Sequence, residues 1–234
     1  PTRLRYDNIL VTSLDAPTQD GTQLEYTHFK QTDPQWLNDV YDSATSWSAT
    51  PTLNRWGCAV TSLAMVMNYH GLTMLPDGSA VNPASLNAWL KTQTDGYLGE
   101  GLTNWIAGTR LTRLISERYG TVKLEYRRHE GSNISIAANE IMANKPSILQ
   151  IAGHFLTANG VTGNGQDLYI KDPAYSYAKF SEHNQPLLST RTFQPSHTDL
   201  SYLLLAHESN LHVSVTDTQG QAIAGWENFT EYLA

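Results

Sequence analysis

Between Cys58 and Tyr69 the sequence reads CAVTSLAMVMNY, and its apolar residues leave almost no polar face. Val60, Leu63, Ala64, Val66 and Met67 recur at helical spacing and spread nearly all the way round. A helix of this kind cannot rest on a surface, so the rest of the fold must enclose it. His70 and Gly71 suit its end, an imidazole near the negative end of the dipole and a glycine able to form a left-handed cap. The helix begins with the only cysteine in the chain, directly after Gly57. The most reactive side chain in the sequence therefore opens its most buried element.

The segments around this helix set the fold class. Asn82 as N-cap and Pro83 in the first turn start a short helix through Lys91. Residues 103–118 read as another helix, 122–128 as a strand, and 133–143 as a helix that stops before Pro146. From there the period changes: "SILQI", "GHFLTANGV" and "DLYIKDP" are short β-type runs punctuated by glycine. Helices first and strands afterwards indicate an α+β fold, not a doubly wound sheet. With 234 residues, 40% of them hydrophobic, the chain can build one sizeable core with room for a small second unit. Residues 1–27 read as an extended polar lead-in. The alternating runs and turns of "LSYLLLAHESNLHVSVTDTQGQAIAG" suggest a main domain over 1–187 and a β-rich extension over 188–234, whether or not it is cut short at Ala234.

Composition excludes several functions. A formal net charge of −7 gives no broad attraction to nucleic acid or an anionic membrane. No apolar run is long enough to span a bilayer. A single cysteine permits neither a disulfide framework nor a multi-cysteine zinc site, and no His/Asp/Glu cluster has ligand spacing. We therefore expect no metal and no cofactor. The abundance of Ser, Thr, Asn, Gly and Tyr, the scarcity of Lys and the start at Pro1 point to an exported protein. The oligomeric state is left open.

Taken alone, Cys58 is most simply a small buried hydrophobe. Its position argues for more, because helix N-termini favour thiolates and Gly57 leaves room for a substrate backbone. A thiolate nucleophile needs a base and a group to orient that base. Of eight histidines, His28, His129, His183, His197, His207 and His212 lie in polar or turn-like contexts that read as solvated. His154 differs by opening an apolar strand. If the two strands around Gly163 form a tight hairpin, Ala158 faces Leu168, Leu156 faces Ile170 and His154 faces Asp172. Opposed residues on one face lie within reach of an imidazole–carboxylate hydrogen bond. Gln31, upstream in "HFKQTDPQW", offers an amide that could act with the Cys58 backbone N–H on an oxyanion.

Taken in order, "HFKQTDPQW", "WGCAVTSLAMVMNYHG", "NPASLNAWL", "KPSILQIAGHFLTANGV" and "LYIKDP" resemble the C39-like branch of the papain-like cysteine peptidases, relatives of the peptidases that process bacteriocin leaders. The resemblance runs from about Phe29 to Pro173. It implies a papain-like fold with a helical half and an antiparallel β half. It also implies that Cys58 is the nucleophile, His154 the general base, Asp172 its orienting residue and Gln31 the oxyanion-hole glutamine. The expected activity is hydrolysis of peptide bonds in a peptide or protein substrate through a thioester. Two alternatives stay open: a thiol amidase or acyltransferase on cell-wall or glutathione-like peptides, and a non-catalytic binding module of the same fold.

Overall fold

The computed structural model describes residues 21–201, together with 214, 216 and 218–221. Its helical half holds α1 (Leu53–Trp56), α2 (Cys58–Tyr69), α3 (Pro83–Thr92) and α4 (Trp105–Tyr119), with a small hairpin of β1 (Tyr97–Leu98) and β2 (Leu102–Thr103) between the last two. Then follow β3 (Lys123–Glu130), α5 (Ser135–Met142), β4 (Ser147–Ile151), β5 (His154–Val161), β6 (Leu168–Lys171) and β7 (Ser189–Ser196). The expected α+β class is the observed one.

Local chemistry starts and stops these helices. Asn82 and Ser85 exchange side-chain and backbone hydrogen bonds in a capping box, with Pro83 in the first turn of α3. The Asn104 side chain accepts from the Ile106 N–H at the head of α4, and Gly120, at φ 69°, closes it in the left-handed region. Every residue of α2 from Ala59 to Met67 is buried, which is the enclosure its sequence demands.

The second half is a five-stranded sheet in the order β3-β7-β4-β5-β6, with every neighbouring pair antiparallel. Helices cover both of its faces. Ile148 joins Leu124, Phe193 and the residues of α2–α4 in one core, while its neighbour Leu149 joins Leu156, Ala137 and Ile141 of α5 in another. Burial on both sides explains why the adjacent residues Ile148 and Leu149 are both apolar, where a strand buried on one face would alternate.

Two expectations need correction. The boundary at 187/188 is not where the fold divides, because β7 lies inside the sheet, pairing Phe193 with Tyr126 and Thr190 with Leu149. Phe193 and Arg191 are fully buried there. The polar look of "STRTFQPS" hid a central strand, since its threonines are buried between β3 and β4. Residues 202–213, 215, 217 and 222–234 of the expected extension lie outside the described residues.

The second correction concerns the β5–β6 register. The loop spans residues 162–167, and beside it Val161 pairs with Leu168 and Gly160 with Tyr169. An irregularity at Asn159 then advances the pairing by one, so that Ala158 meets Ile170, two residues from the expected Leu168. Without that bulge Ala158 would oppose Lys171, and His154 and Asp172 would fall on opposite faces. With it they share a face. Continuing the observed register puts Asp172 opposite Leu156, one diagonal step from His154, still within reach of a long side chain.

Candidate active site

Cys58 is half-buried at the first position of α2. The helices α1 and α2 meet at Gly57, whose N–H donates to Leu53 O at 2.8 Å and whose carbonyl accepts from Thr61 at 2.9 Å. A Cβ on Gly57 would come within 2.5 Å of Leu53 O. The glycine is thus needed for the approach of α1 to α2, a stronger requirement than the substrate access inferred from sequence.

In an unbroken helix the Cys58 N–H would bond to Asn54 O, four residues back. Here Asn54 O accepts the Gln31 Nε2 amide at 2.6 Å instead. The break leaves the Cys58 N–H in the opening turn of α2, where backbone donors have no intrahelical partner. Gln31 is buried, 4% exposed, and its backbone N–H donates to Pro173 O at 2.9 Å. Its side-chain oxygen has no hydrogen-bond partner among the described residues. Gln31 thus links the segment before Cys58 to the one after Asp172.

His154 opens β5, and its Nε2 lies 3.0 Å from both Oδ1 and Oδ2 of Asp172. Asp172 is fully buried and His154 nearly so. With Nε2 engaged, Nδ1 is the ring nitrogen left for the groove that His154 shares with Cys58. Backbone N–H groups of Ala174 and Tyr175 both donate to Asp172 Oδ1 at 2.7 Å. The turn-starting role of an Asp before Pro173 and its role beside an imidazole therefore coexist in one carboxylate.

Burial alone would pull the His154 pKa down, but hydrogen bonds with Asp172 and then Cys58, with their charges, raise it to about 9. Burial likewise opposes ionisation of Asp172, yet the hydrogen bonds from His154 and His183 hold its carboxyl well below the usual carboxylate range. A carboxylate beside an imidazolium is the charge state favoured at neutral pH.

His183 is a residue that sequence reading misplaced. It is not solvated: its side chain is 3% exposed and its Nε2 lies 2.8 Å from Asp172 Oδ2. Tyr175 sets its ring edge-on to both His154 and His183 and stacks on Tyr177. On the other side of Asp172, its main-chain oxygen accepts from Lys30 Nζ at 2.6 Å and lies 2.9 Å from His28 Nε2. No local pattern announces these contacts, because each joins Asp172 to a residue placed by tertiary folding.

Cys58 and His154 share a groove of about 520 Å³ between the two halves. Trp47, Trp56, Trp105 and Phe155 give it apolar walls, and Arg128, Glu130 and Gln150 line it with polar groups. The walls are braced from behind. The indole N–H groups of Trp47 and Trp56 donate to Ser43 and Ser48, and the Arg191 guanidinium packs between Trp105 and Phe155. Mostly apolar walls with a few polar groups are the usual lining of a ligand site.

A cysteine opening the central helix, across a groove from an antiparallel sheet that carries a His–Asp pair, defines a protein of the papain-like α+β class. The chain belongs to the Peptidase C39-like family, whose sequence model matches residues 23–202. That span takes in β7 as well as the four expected site residues. Among solved structures, a Bacillus anthracis protein named as a C39-like peptidase is 16% identical, with a TM-score of 0.43, covering 76% of this chain and 100% of its own. None of the curated proteins compared matches this chain. No helix among the described residues is long and apolar enough to cross a membrane.

Proposed function

We propose that this protein is a cysteine hydrolase that cleaves peptide bonds through Cys58, His154 and Asp172. The observation that carries the reading is a fully buried Asp172 3.0 Å from the His154 ring, with His154 and Cys58 lining the same open groove. In this scheme the thiol proton already rests on His154 Nδ1 as a thiolate–imidazolium pair, and the thiolate sulfur attacks the carbonyl carbon of the bound peptide. The oxyanion that forms accepts from the Cys58 N–H and from the Gln31 amide hydrogen not donated to Asn54. The imidazolium then protonates the departing amine as the C–N bond breaks, leaving a thioester on Cys58. Water, deprotonated by His154, attacks that thioester and frees the carboxylic acid and the thiol. Asp172 stays ionised throughout, holding the Nε2–H tautomer and stabilising the imidazolium.

The same machinery would let an amine replace water, giving a transferase. The hydrolase is the simpler reading, because water needs no second binding site. A binding module of the same fold has no use for a buried carboxylate aligned on an imidazole that shares a groove with a thiol. Digestion of a peptide library, read by mass spectrometry with wild type and Cys58→Ala side by side, tests the proposal. Cleavage products that depend on Cys58, and that are nearly lost in His154→Ala, are expected. A digest unchanged by Cys58→Ala would overturn it.

A further inference from the structure

We propose that His183 is a positioning residue for the base: by holding Oδ2 of Asp172 it fixes the carboxylate and takes a share of its charge, limiting how tightly Asp172 retains the His154 proton. The inference deepens the thiol-hydrolase reading and rests on it.

The two oxygens of Asp172 are held by different means. Oδ1 accepts from the Ala174 and Tyr175 backbone N–H groups, both at 2.7 Å, through the turn that follows the strand. Oδ2 accepts from His183 Nε2 at 2.8 Å. The His154 N–H is split between them, 3.0 Å from each. An ionised carboxylate only accepts, so Nε2 of each histidine carries a hydrogen in this arrangement. Two imidazoles thus draw on one carboxylate, and they share Oδ2.

The fold takes care to bring His183 back to this point. Residues 178–182 return along β6: Ala178 O accepts from Ile170 N, and Tyr169 bridges to Lys179. The 3₁₀ turn Phe180–His183 is pinned by Ser181, whose hydroxyl donates to Asp167 Oδ2 at 2.6 Å, and by Phe180 buried in the α5-side core. Glu182 caps the same turn through the Ala178 and Lys179 N–H groups. The ionisable groups facing the Asp172–His183 pair are His154 on β5, Lys30 and His28 at the Asp172 main-chain oxygen, and Tyr175 and Tyr177 around the imidazole. Of these, only His154 shares the carboxylate oxygens with His183 among the described contacts.

Removing the His183 donor leaves the full carboxylate charge to His154, and the proton on His154 is then held more tightly. His183→Phe keeps an aromatic ring against Tyr175 and Tyr177 but loses the N–H. His183→Gln restores an N–H near the Nε2 position. The readout is the pH profile of Cys58 alkylation by iodoacetamide, whose upper inflection marks loss of the His154 proton.

We expect that inflection to move up by roughly half a pH unit or more in His183→Phe, a threefold or greater change in proton affinity, and to return towards wild type in His183→Gln. An unmoved inflection in a folded His183→Phe protein, or a Gln variant shifted as far as the Phe variant, would overturn the proposal. Proton NMR of the unmodified protein gives a test that needs no folded His183→Phe. Two downfield imidazole N–H resonances, both displaced by Asp172→Asn, are expected, and a single one would count against His183. Failure of the underlying function looks different: wild-type Cys58 would then react with iodoacetamide no faster than a free thiol at any pH.

Discussion

A histidine with a pKa near 9 stays protonated through neutral pH, and its neighbours are responsible. Burial would lower His154; Asp172 and then Cys58 outweigh it. An NMR titration of the His154 ring should therefore place it near 9 in wild type, with a large fall in Asp172→Asn and a smaller one in Cys58→Ala. A value unmoved by Cys58→Ala would mean that the thiol and the imidazole do not interact. Gln31 is judged by a different quantity. If its amide donates to the oxyanion, Gln31→Ala lowers kcat roughly a hundredfold or more while leaving KM nearly alone. Because Gln31 is buried and bonded to Asn54, a melting curve must accompany that measurement. Equal kcat in a folded variant would return Gln31 to a purely structural role.

At the scale of elements, the junction of α1 and α2 is the feature most exposed to a single substitution. Gly57→Ala forces a Cβ to within 2.5 Å of Leu53 O, so the two helices must separate. We expect a loss of stability of about 1–3 kcal/mol in denaturant melts, together with slower alkylation of Cys58. An Ala variant as stable and as reactive as wild type would show that the junction is not constrained as described. Helices α2 to α5 were legible in the sequence, because α2 is apolar on all sides, Asn82-Pro83 caps α3, and Pro146 ends the segment that holds α5, whereas the four-residue α1 (Leu53–Trp56) was not. The pairing of His154 with Asp172 was legible only in outcome. The bulge at Asn159 and the longer loop at 162–167 displaced the register by two residues, and an even displacement keeps a side chain on its face. His183 could not be found this way, since its contact with Asp172 depends on how the 173–184 loop folds back.

For the whole molecule, the polar strand β7 is the test of what counts as core. It sits between β3 and β4, so a chain ending at Leu187 loses an internal strand with fully buried Phe193 and Arg191. That truncation should fail to fold, whereas one ending after residue 202, where the family match ends, should give a cooperative melt. A well-folded 1–187 chain would restore the boundary expected from sequence. The central claim, that Cys58 is an acylated nucleophile, has a direct measurement: intact-mass spectrometry after mixing the protein with an N-acyl amino acid p-nitrophenyl ester. The account predicts one acyl adduct, mapped to Cys58, released by hydroxylamine and absent from Cys58→Ala. No adduct on a folded wild-type protein, or an adduct that persists in Cys58→Ala, would contradict it.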